Sequence, residues 1–111
     1  ERVPPDIDVT RSPALRTGAE DAVVSGLVRD DRGLRDVMIF HGEEKVFYRG
    51  GEPGTESIPF TAEPVLEPGS NMIYVLARDY EGLSSTWSVH TWLDEVATTA
   101  QALPPSEPKI P

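Results

Sequence analysis

Cysteine is absent from this chain of 111 residues, so it can form neither a disulfide framework nor a metal site built on thiolates. Basic residues are few: ten Lys and Arg stand against nineteen Asp and Glu, which leaves a formal net charge of −9. Nucleic acids and anionic membrane surfaces both attract a positive protein face. We therefore expect no nucleic-acid partner and no membrane insertion.

Long apolar runs are absent as well. The chain has no stretch of about 18 apolar residues that could cross a bilayer as a helix, and its first residues lack the basic and apolar regions of a signal peptide. It starts abruptly with Glu1-Arg2-Val3-Pro4-Pro5. We expect it to be a fragment of a longer protein in which any targeting signal lies upstream.

Short alternating segments dominate what is present. Eleven prolines and nine glycines divide the chain into pieces, most of which alternate apolar and polar residues as strands do. This pattern is typical of an all-β chain, an immunoglobulin-like antiparallel β-sandwich, which we assign to 1–93. The seven predicted strands cover 7–10, 22–29, 35–41, 44–49, 57–62, 71–79 and 86–93.

One motif, Arg-Asp-x-x-Gly-Leu, occurs twice, starting at Arg29 and at Arg78. Each copy closes an apolar run, and this is typical of a strand that ends in a tight corner. The side chains of Asp30 and Asp79 are expected to accept hydrogen bonds from loop N–H groups, while the glycine supplies a positive φ. The repeat predicts two strands that leave the sandwich at the same end.

A calcium site is the chemical alternative at these corners, because calcium binds several oxygen ligands from acidic loops. Cationic side chains also lie among the acids, at Arg29, Arg32, Arg35 and Arg78, and they would neutralise the same charge. We favour corner capping and no cofactor, and keep calcium as the alternative. Its candidate ligands are Asp30, Asp31, Asp79 and Glu81, with Asp36 nearby.

Large apolar side chains also fall outside the predicted core phase. The inward residues of the third and sixth predicted strands are Val37, Ile39, Asn71, Ile73, Val75, Ala77 and Asp79. Because these strands are neighbours in an immunoglobulin-like sandwich, the intervening apolar residues would share one outer face, and such a patch marks an interface. The predicted interaction residues are Met38, Phe40, Met72, Tyr74 and Leu76, extended by Trp92 or Phe47 depending on register.

The C-terminal tail, 94–111, departs from the strand pattern. Asp94 is a residue type that caps helices, and Val96, Ala100 and Leu103 are spaced as one helical stripe. A short helix and a loose tail both fit this segment. A helix would offer an alternative role for the outer face, because its stripe could cover that face as ordinary core.

Catalysis has little support in the sequence. There is no Gly-x-Ser-x-Gly motif, and the only histidines, His41 and His90, lie in no recognised catalytic pattern. The fragment itself is therefore not expected to be an enzyme.

Two segments carry a family resemblance. The run from Gly33 to Tyr48, and Leu66-Glu67-Pro68-Gly69-Ser70-Asn71 followed by Val75-Leu76-Ala77-Arg78-Asp79, resemble the C-terminal domain of deltaproteobacterial (myxobacterial-type) carboxy-terminal processing, or tail-specific, serine peptidases. In that family a PDZ domain and a peptidase domain precede an immunoglobulin-like module. The resemblance implies a periplasmic, envelope or secreted location and no catalytic residue in this fragment.

Two functions follow as hypotheses. The first is a non-catalytic accessory module of such a peptidase, used in docking or substrate positioning, with the peptidase domain or another copy of the module as partner. The second is an adhesive or carbohydrate-binding module of a bacterial surface protein, stabilised by calcium in one version. A plain structural spacer remains if the outer face is polar.

Overall fold

Two β-sheets packed face to face form the described part of the chain, residues 3–94 of the computed structural model. The smaller sheet has the order β1-β3-β6 and the larger has the order β2-β8-β7-β4-β5. All pairs are antiparallel except β2 with β8. The strands are β1 (Asp6–Arg11), β2 (Arg16–Thr17), β3 (Val24–Arg29), β4 (Leu34–His41), β5 (Glu44–Gly50), β6 (Ser57–Ala62), β7 (Gly69–Asp79) and β8 (Ser84–Leu93).

This arrangement confirms the predicted all-β, immunoglobulin-like sandwich. All seven predicted strands are present, and every end agrees to within two residues. The strand that the sequence does not predict is β2, which has two residues and therefore no alternation to detect. It matters because it carries the chain from the smaller sheet to the edge of the larger one, where Trp92 N donates to Leu15 O at 2.9 Å.

The core lies between the sheets and follows the predicted phase. On β7, Ile73, Val75 and Ala77 are fully buried, and Val37 and Ile39 on the neighbouring β4 are equally inaccessible. Val24 and Val28 of β3 pack against them from the smaller sheet, in one hydrophobic cluster. The inward phase predicted for β4 and β7 is therefore confirmed.

Asn71 organises the turn that leads into β7. Its Oδ1 accepts from Glu67 N at 2.9 Å, and its Nδ2 donates to the carbonyls of Glu67 and Gly69 at 2.8 and 3.0 Å. His41 Nε2 lies 2.8 Å from the same Oδ1, and because an amide oxygen only accepts, this ring nitrogen is the donor. The run from Pro68 to Asn71 is thus a turn in which the Asn side chain is buried and hydrogen-bonded through both its oxygen and its nitrogen.

The C-terminal end of the sandwich includes Asp94. Its backbone N donates to Thr17 O at 2.9 Å, and its carboxylate pairs with Arg16 at 2.6 Å. The predicted helix beyond it lies outside the described residues. Residues 3–94 contain no helix, and so none long and apolar enough to cross a membrane.

The phase of β7 can be tested with Val75→Asp. The side chain of Val75 is inaccessible, so the aspartate would bury an unpaired charge, and we expect the chain to be unfolded at 25 °C because the cost of several kcal/mol approaches the whole stability of a domain. Far-UV circular dichroism and urea titration measure this. The control is Thr86→Asp, an exposed position on the outer side of the same sheet, which should remain folded.

Candidate interaction surface

The outer face of the five-stranded sheet carries the apolar residues that the sequence places there. In the register of β4, Phe40 lies opposite Tyr74 of β7, and Met38 lies between Leu76 of β7 and Tyr48 of β5. Met72 and Trp92 continue the same face on β7 and β8. We call this set the outer apolar surface: Met38, Phe40, Tyr48, Met72, Tyr74, Leu76 and Trp92.

An aromatic stack lies at the centre of the outer apolar surface. The rings of Phe40 and Tyr74 are stacked with centroids 5.0 Å apart and planes inclined by 17°. Lys45 of the edge strand β5 stands beside them, with its Nζ 6.0 Å from the Phe40 ring centroid and 5.4 Å from that of Tyr48. The ammonium group adds a cation–π contact, so the surface combines aromatic area with one positive charge.

Exposure on this surface is uneven, and one expectation needs correction. Met72 is 42% exposed, Tyr48 56% and Trp92 48%, whereas Phe40 and Tyr74 are half-buried. Leu76 is half-buried too. Met38 lies on the outer face as predicted, but it is only 6% exposed, so it is not an exposed part of the predicted interaction patch. Met38 supports the surface from below, and the exposed residues around it are the ones a partner can touch.

The extension of the surface is settled by a bulge in β5. The β4–β5 register shifts by one residue between Ile39 and Phe40, so that Val46 is the extra residue. As a result Phe47 turns inward and packs on the core, and the option that it extends the outer face is wrong. Tyr48 takes that place instead. Trp92, the other option, does lie on the outer face, opposite Ser70.

An ion pair borders the outer apolar surface at the corner end. Arg78 Nε and a terminal guanidinium nitrogen donate to the two Asp36 oxygens at 2.8 and 2.6 Å. The Asp36 side chain is 3% exposed, and Tyr48 Oη reaches it at 3.5 Å. These hydrogen bonds from Arg78 hold the pKa of the Asp36 carboxyl below its usual range, although burial acts in the opposite direction. The pair supplies polar partners at the edge of an apolar patch.

The two predicted corners do lie together. Tyr80 N donates to Gly33 O at 3.1 Å, and Arg32 pairs with Glu81 at 3.0 Å. Asp30 Oδ2 accepts from the backbone N atoms of residues 32 and 33 at 3.0 and 2.8 Å, and Asp79 Oδ1 accepts from those of residues 81 and 83 at 2.9 and 2.8 Å. Both aspartates therefore cap their corners as predicted.

The geometry of the corners gives little support to the calcium alternative. Within 3–94 no group of three or more His, Cys, Asp or Glu side chains could hold a metal ion. One carboxylate oxygen of each capping aspartate already accepts hydrogen bonds from its own loop, and Glu81 accepts a hydrogen bond from Arg32. Asp30 Oδ1 is buried and has no hydrogen-bond donor among the described residues.

The two histidines make different contacts, and neither forms a triad in the described chain. His90 Nε2 hydrogen-bonds to Ser70 Oγ on the outer face, an exposed pair that the sequence does not signal, because its members lie on different strands. No carboxylate within 3–94 is bonded to the His90 ring, and His41 is bonded to Asn71. A nucleophile needs an oriented base and an oxyanion hole, which a Ser–His contact alone does not supply.

Comparisons with known proteins bear on the fold. No family model matches the chain, and no curated protein matches it. A solved structure described as "Structures of Clostridium thermocellum CbhA fibronectin(III)-like modules" is similar over 83% of this chain, with a TM-score of 0.54 and 19% identity. The chain spans 47% of that chain's length. At this identity the similarity shows the fold alone, a sandwich like that of fibronectin(III)-like modules.

Capping at the corners can be tested with Asp79→Ala. The substitution leaves the N–H groups of residues 81 and 83 without their acceptor, and we expect the free energy of unfolding to fall by about 1–3 kcal/mol. Asp79→Asn is the matched control, because its amide oxygen still accepts and the loss should be smaller. Urea unfolding measures both. Equal stability of Asp79→Ala and the unsubstituted chain would contradict the capping role.

Calcium is tested on the unsubstituted chain. If capping is the whole function of the corners, the melting temperature should be the same in calcium chloride and in chelator, since only a ligand that binds the folded state shifts it. A calcium-binding isotherm in calorimetry that disappears in Asp30→Asn would show instead that the corners bind calcium.

The Asp36–Arg78 pair predicts a pH-dependent stability. Because the folded-state pKa of Asp36 is lowered, its contribution is full above its unfolded pKa of about 3.9 and is lost as pH falls through the folded value. Arg78→Met should lower the free energy of unfolding by about 1–3 kcal/mol at pH 7, a range that allows for the half-exposed Arg78.

The difference between this variant and the unsubstituted chain should shrink as the pH is lowered from 7 to 3. Urea unfolding at each pH provides the measurement. Arg49→Met is the control, since Arg49 is exposed and makes no ion pair within the described residues. A constant difference across this pH range would mean that Arg78 stabilises the fold by packing rather than through Asp36.

Proposed function

We propose that this chain is a non-catalytic accessory module that docks on a neighbouring protein domain through its outer apolar surface. The observation that supports it best is the clustering of Met72, Tyr48 and Trp92, each more than two-fifths exposed, around the Phe40–Tyr74 stack. Aromatic and methionine side chains are enriched in protein interfaces, and contiguous apolar patches are costly to leave in water. The fold is one that carries binding surfaces on its sheets and loops.

The composition of the surface favours a protein partner. Its centre is apolar and aromatic, while its border carries the Asp36–Arg78 pair and Lys45. An apolar centre surrounded by a charged rim is typical of protein–protein interfaces. Electrostatic attraction to a polyanion has no comparable support, because the whole chain carries a net charge of −9.

The setting that we propose is the envelope or periplasm, with the module attached to a PDZ-containing serine peptidase of the carboxy-terminal processing type. The support is the sequence resemblance of the runs that end at Tyr48 and Asp79. In that setting the partner is the peptidase body, and the module positions either that body or its substrate. The complete reading frame is the direct test: a preceding PDZ–peptidase region supports this setting, and tandem sandwich repeats without a peptidase contradict it.

Carbohydrate binding is the second function that a specific observation favours. Tyr48 and Trp92 expose aromatic rings on the same sheet face, and such rings combine apolar area with a polar atom at the edge. Quenching or a blue shift of the tryptophan emission on titration with soluble oligosaccharides would support this function. The half-buried Trp87 remains as the emission background, so Trp92→Phe must abolish the change.

Docking is tested by substituting the exposed residues and sparing the stack. We expect the Met72→Ser, Trp92→Ser double variant to keep its fold and to bind the separately expressed preceding region of the same protein about tenfold or more weakly, as loss of exposed interface anchors does. Isothermal titration calorimetry provides the affinity. The control is Val65→Ser, which removes an apolar side chain of 64% exposure away from this face.

Truncation separates docking from self-covering. Removing 95–111 retains Asp94 and therefore its pair with Arg16. If the truncated chain keeps its melting temperature and its affinity, the outer apolar surface is available to a partner. If it melts much earlier and self-associates, the tail covers this surface and the docking proposal is wrong.

A further inference from the structure

Strand β8 has one open side along most of its length. Its ten residues all pair with β7 on one side, whereas on the other side β2 pairs only with Trp92 and Leu93. No other strand of the described chain pairs with that second side. Residues 84–91 therefore form a free edge of the five-stranded sheet.

The hydrogen-bonding groups on this edge can be assigned from the β2 contacts. The backbone N atoms of Trp92 and Asp94 donate to Leu15 O and Thr17 O, both at 2.9 Å, so these two residues direct their groups away from β7. In an antiparallel ladder successive residues alternate between the two sides. The backbone N–H and C=O groups on the open side are thus those of Ser84, Thr86, Ser88 and His90.

This edge lacks the features that protect sheet edges from pairing. From Ser84 to Leu93 there is no Lys, Arg, Asp, Glu or Pro. Natural edge strands are blocked by charges, prolines or very short length. The other edges in the described chain follow that rule: β1 carries Asp6, Asp8 and Arg11, β5 carries Glu44, Lys45 and Arg49, β6 contains Pro59, and β2 has two residues.

We propose that the free edge of β8 binds an extended peptide segment of neutral or positive net charge, which adds to the sheet as a further strand. Main-chain hydrogen bonds supply the affinity in this mode of recognition, and the side chains on either face of the added strand supply selectivity. The edge is distinct from the outer apolar surface, so this inference does not depend on the docking proposal.

Charge is the reason to expect a peptide rather than a second copy of the chain. A second copy would bring another net charge of −9 to the edge. Ser85 Oγ donates to Pro5 O, which places the residue before β1 beside β8. Asp6 and Asp8 of β1 are exposed on the outer face of the smaller sheet, because Ile7 and Val9 pack on the core. The net negative charge of the chain repels an identical chain and attracts a peptide with basic residues.

The length of the edge fits a short segment. Eight residues at about 3.4 Å each span roughly 27 Å, which matches an extended peptide of about eight residues. On the outer side the added strand would lie beside Thr86, Ser88 and His90, which are all exposed. The small hydroxyl side chains at two of these positions tolerate many residue types in the bound peptide, so we expect weak selectivity for the peptide sequence.

The first measurement concerns the free chain. Amide hydrogen exchange, followed by NMR, should be fast at Thr86, Ser88 and His90 and slow at Trp87, Val89 and Thr91, whose groups face β7. If the first three amides are protected in the free, monomeric chain, the edge is already occupied and the proposal is wrong.

The second measurement uses a peptide probe. We suggest a fluorescein-labelled Lys-Thr-Val-Thr-Val-Thr-Val-Lys amide and the same peptide with alternate amides N-methylated along one edge or the other. Binding followed by anisotropy should slow exchange at Thr86, Ser88 and His90. One of the two methylated peptides should lose binding, because only one peptide edge faces β8.

Ser88→Pro provides the decisive variant. It removes the N–H at the middle of the free edge. Proline is tolerated there because this N–H points away from β7 and makes no hydrogen bond within the sheet. We expect probe binding to weaken about tenfold or more. Ser88→Ala is the matched control. It keeps the backbone N–H and loses only an exposed hydroxyl, so its affinity should stay within about twofold of the unsubstituted chain.

Three outcomes would overturn the inference. Unchanged binding in Ser88→Pro would place the peptide elsewhere. Absence of binding by the probe, with the exchange pattern as expected, would mean that the open edge does not capture extended peptides. Self-association in analytical ultracentrifugation that Ser88→Pro abolishes would make a second copy the occupant. The Met72→Ser, Trp92→Ser variant should bind the probe normally, which keeps this result separate from the docking proposal.

Discussion

The register of β7 is the constraint on which the rest of the five-stranded sheet depends. This strand pairs with β8 from Gly69 to Arg78 on one side and with β4 from Ile73 to Asp79 on the other. Its inner face runs from Asn71 through three apolar residues to Asp79, and all five are buried. Because each polar end is hydrogen-bonded to its own turn, a slip of one residue would bury the outer side chains and leave both polar groups without partners.

That register also creates the outer apolar surface. Once Ile73, Val75 and Ala77 point inward, Met72, Tyr74 and Leu76 have to point outward, since successive side chains of a strand alternate. The stack of Tyr74 on Phe40 of the neighbouring strand follows from the same pairing. The core and the proposed docking surface are therefore the two faces produced by one strand register.

Much of this architecture was predictable because it rests on local patterns. Alternation placed seven strands to within two residues, and the repeated Arg-Asp-x-x-Gly-Leu motif predicted two capped corners at one end. The errors have a common cause. Met38 is covered by its neighbours across the sheet, and a one-residue bulge in β5 sends Phe47 inward and Tyr48 outward. Neither coverage by a neighbouring strand nor a bulge produces a recognisable pattern of apolar and polar residues in the sequence.

The sequence by itself determined the strand phases, the corners and the acidic, cysteine-free character of the chain, because each is carried by residues close together or by composition. Only the tertiary structure decided which apolar side chains remain exposed, how Asp36 finds Arg78 across 42 positions, and which side of β8 stays unpaired. These properties depend on which strands become neighbours and how far they pair. Long-range packing sets that pairing, and no single strand contains the information.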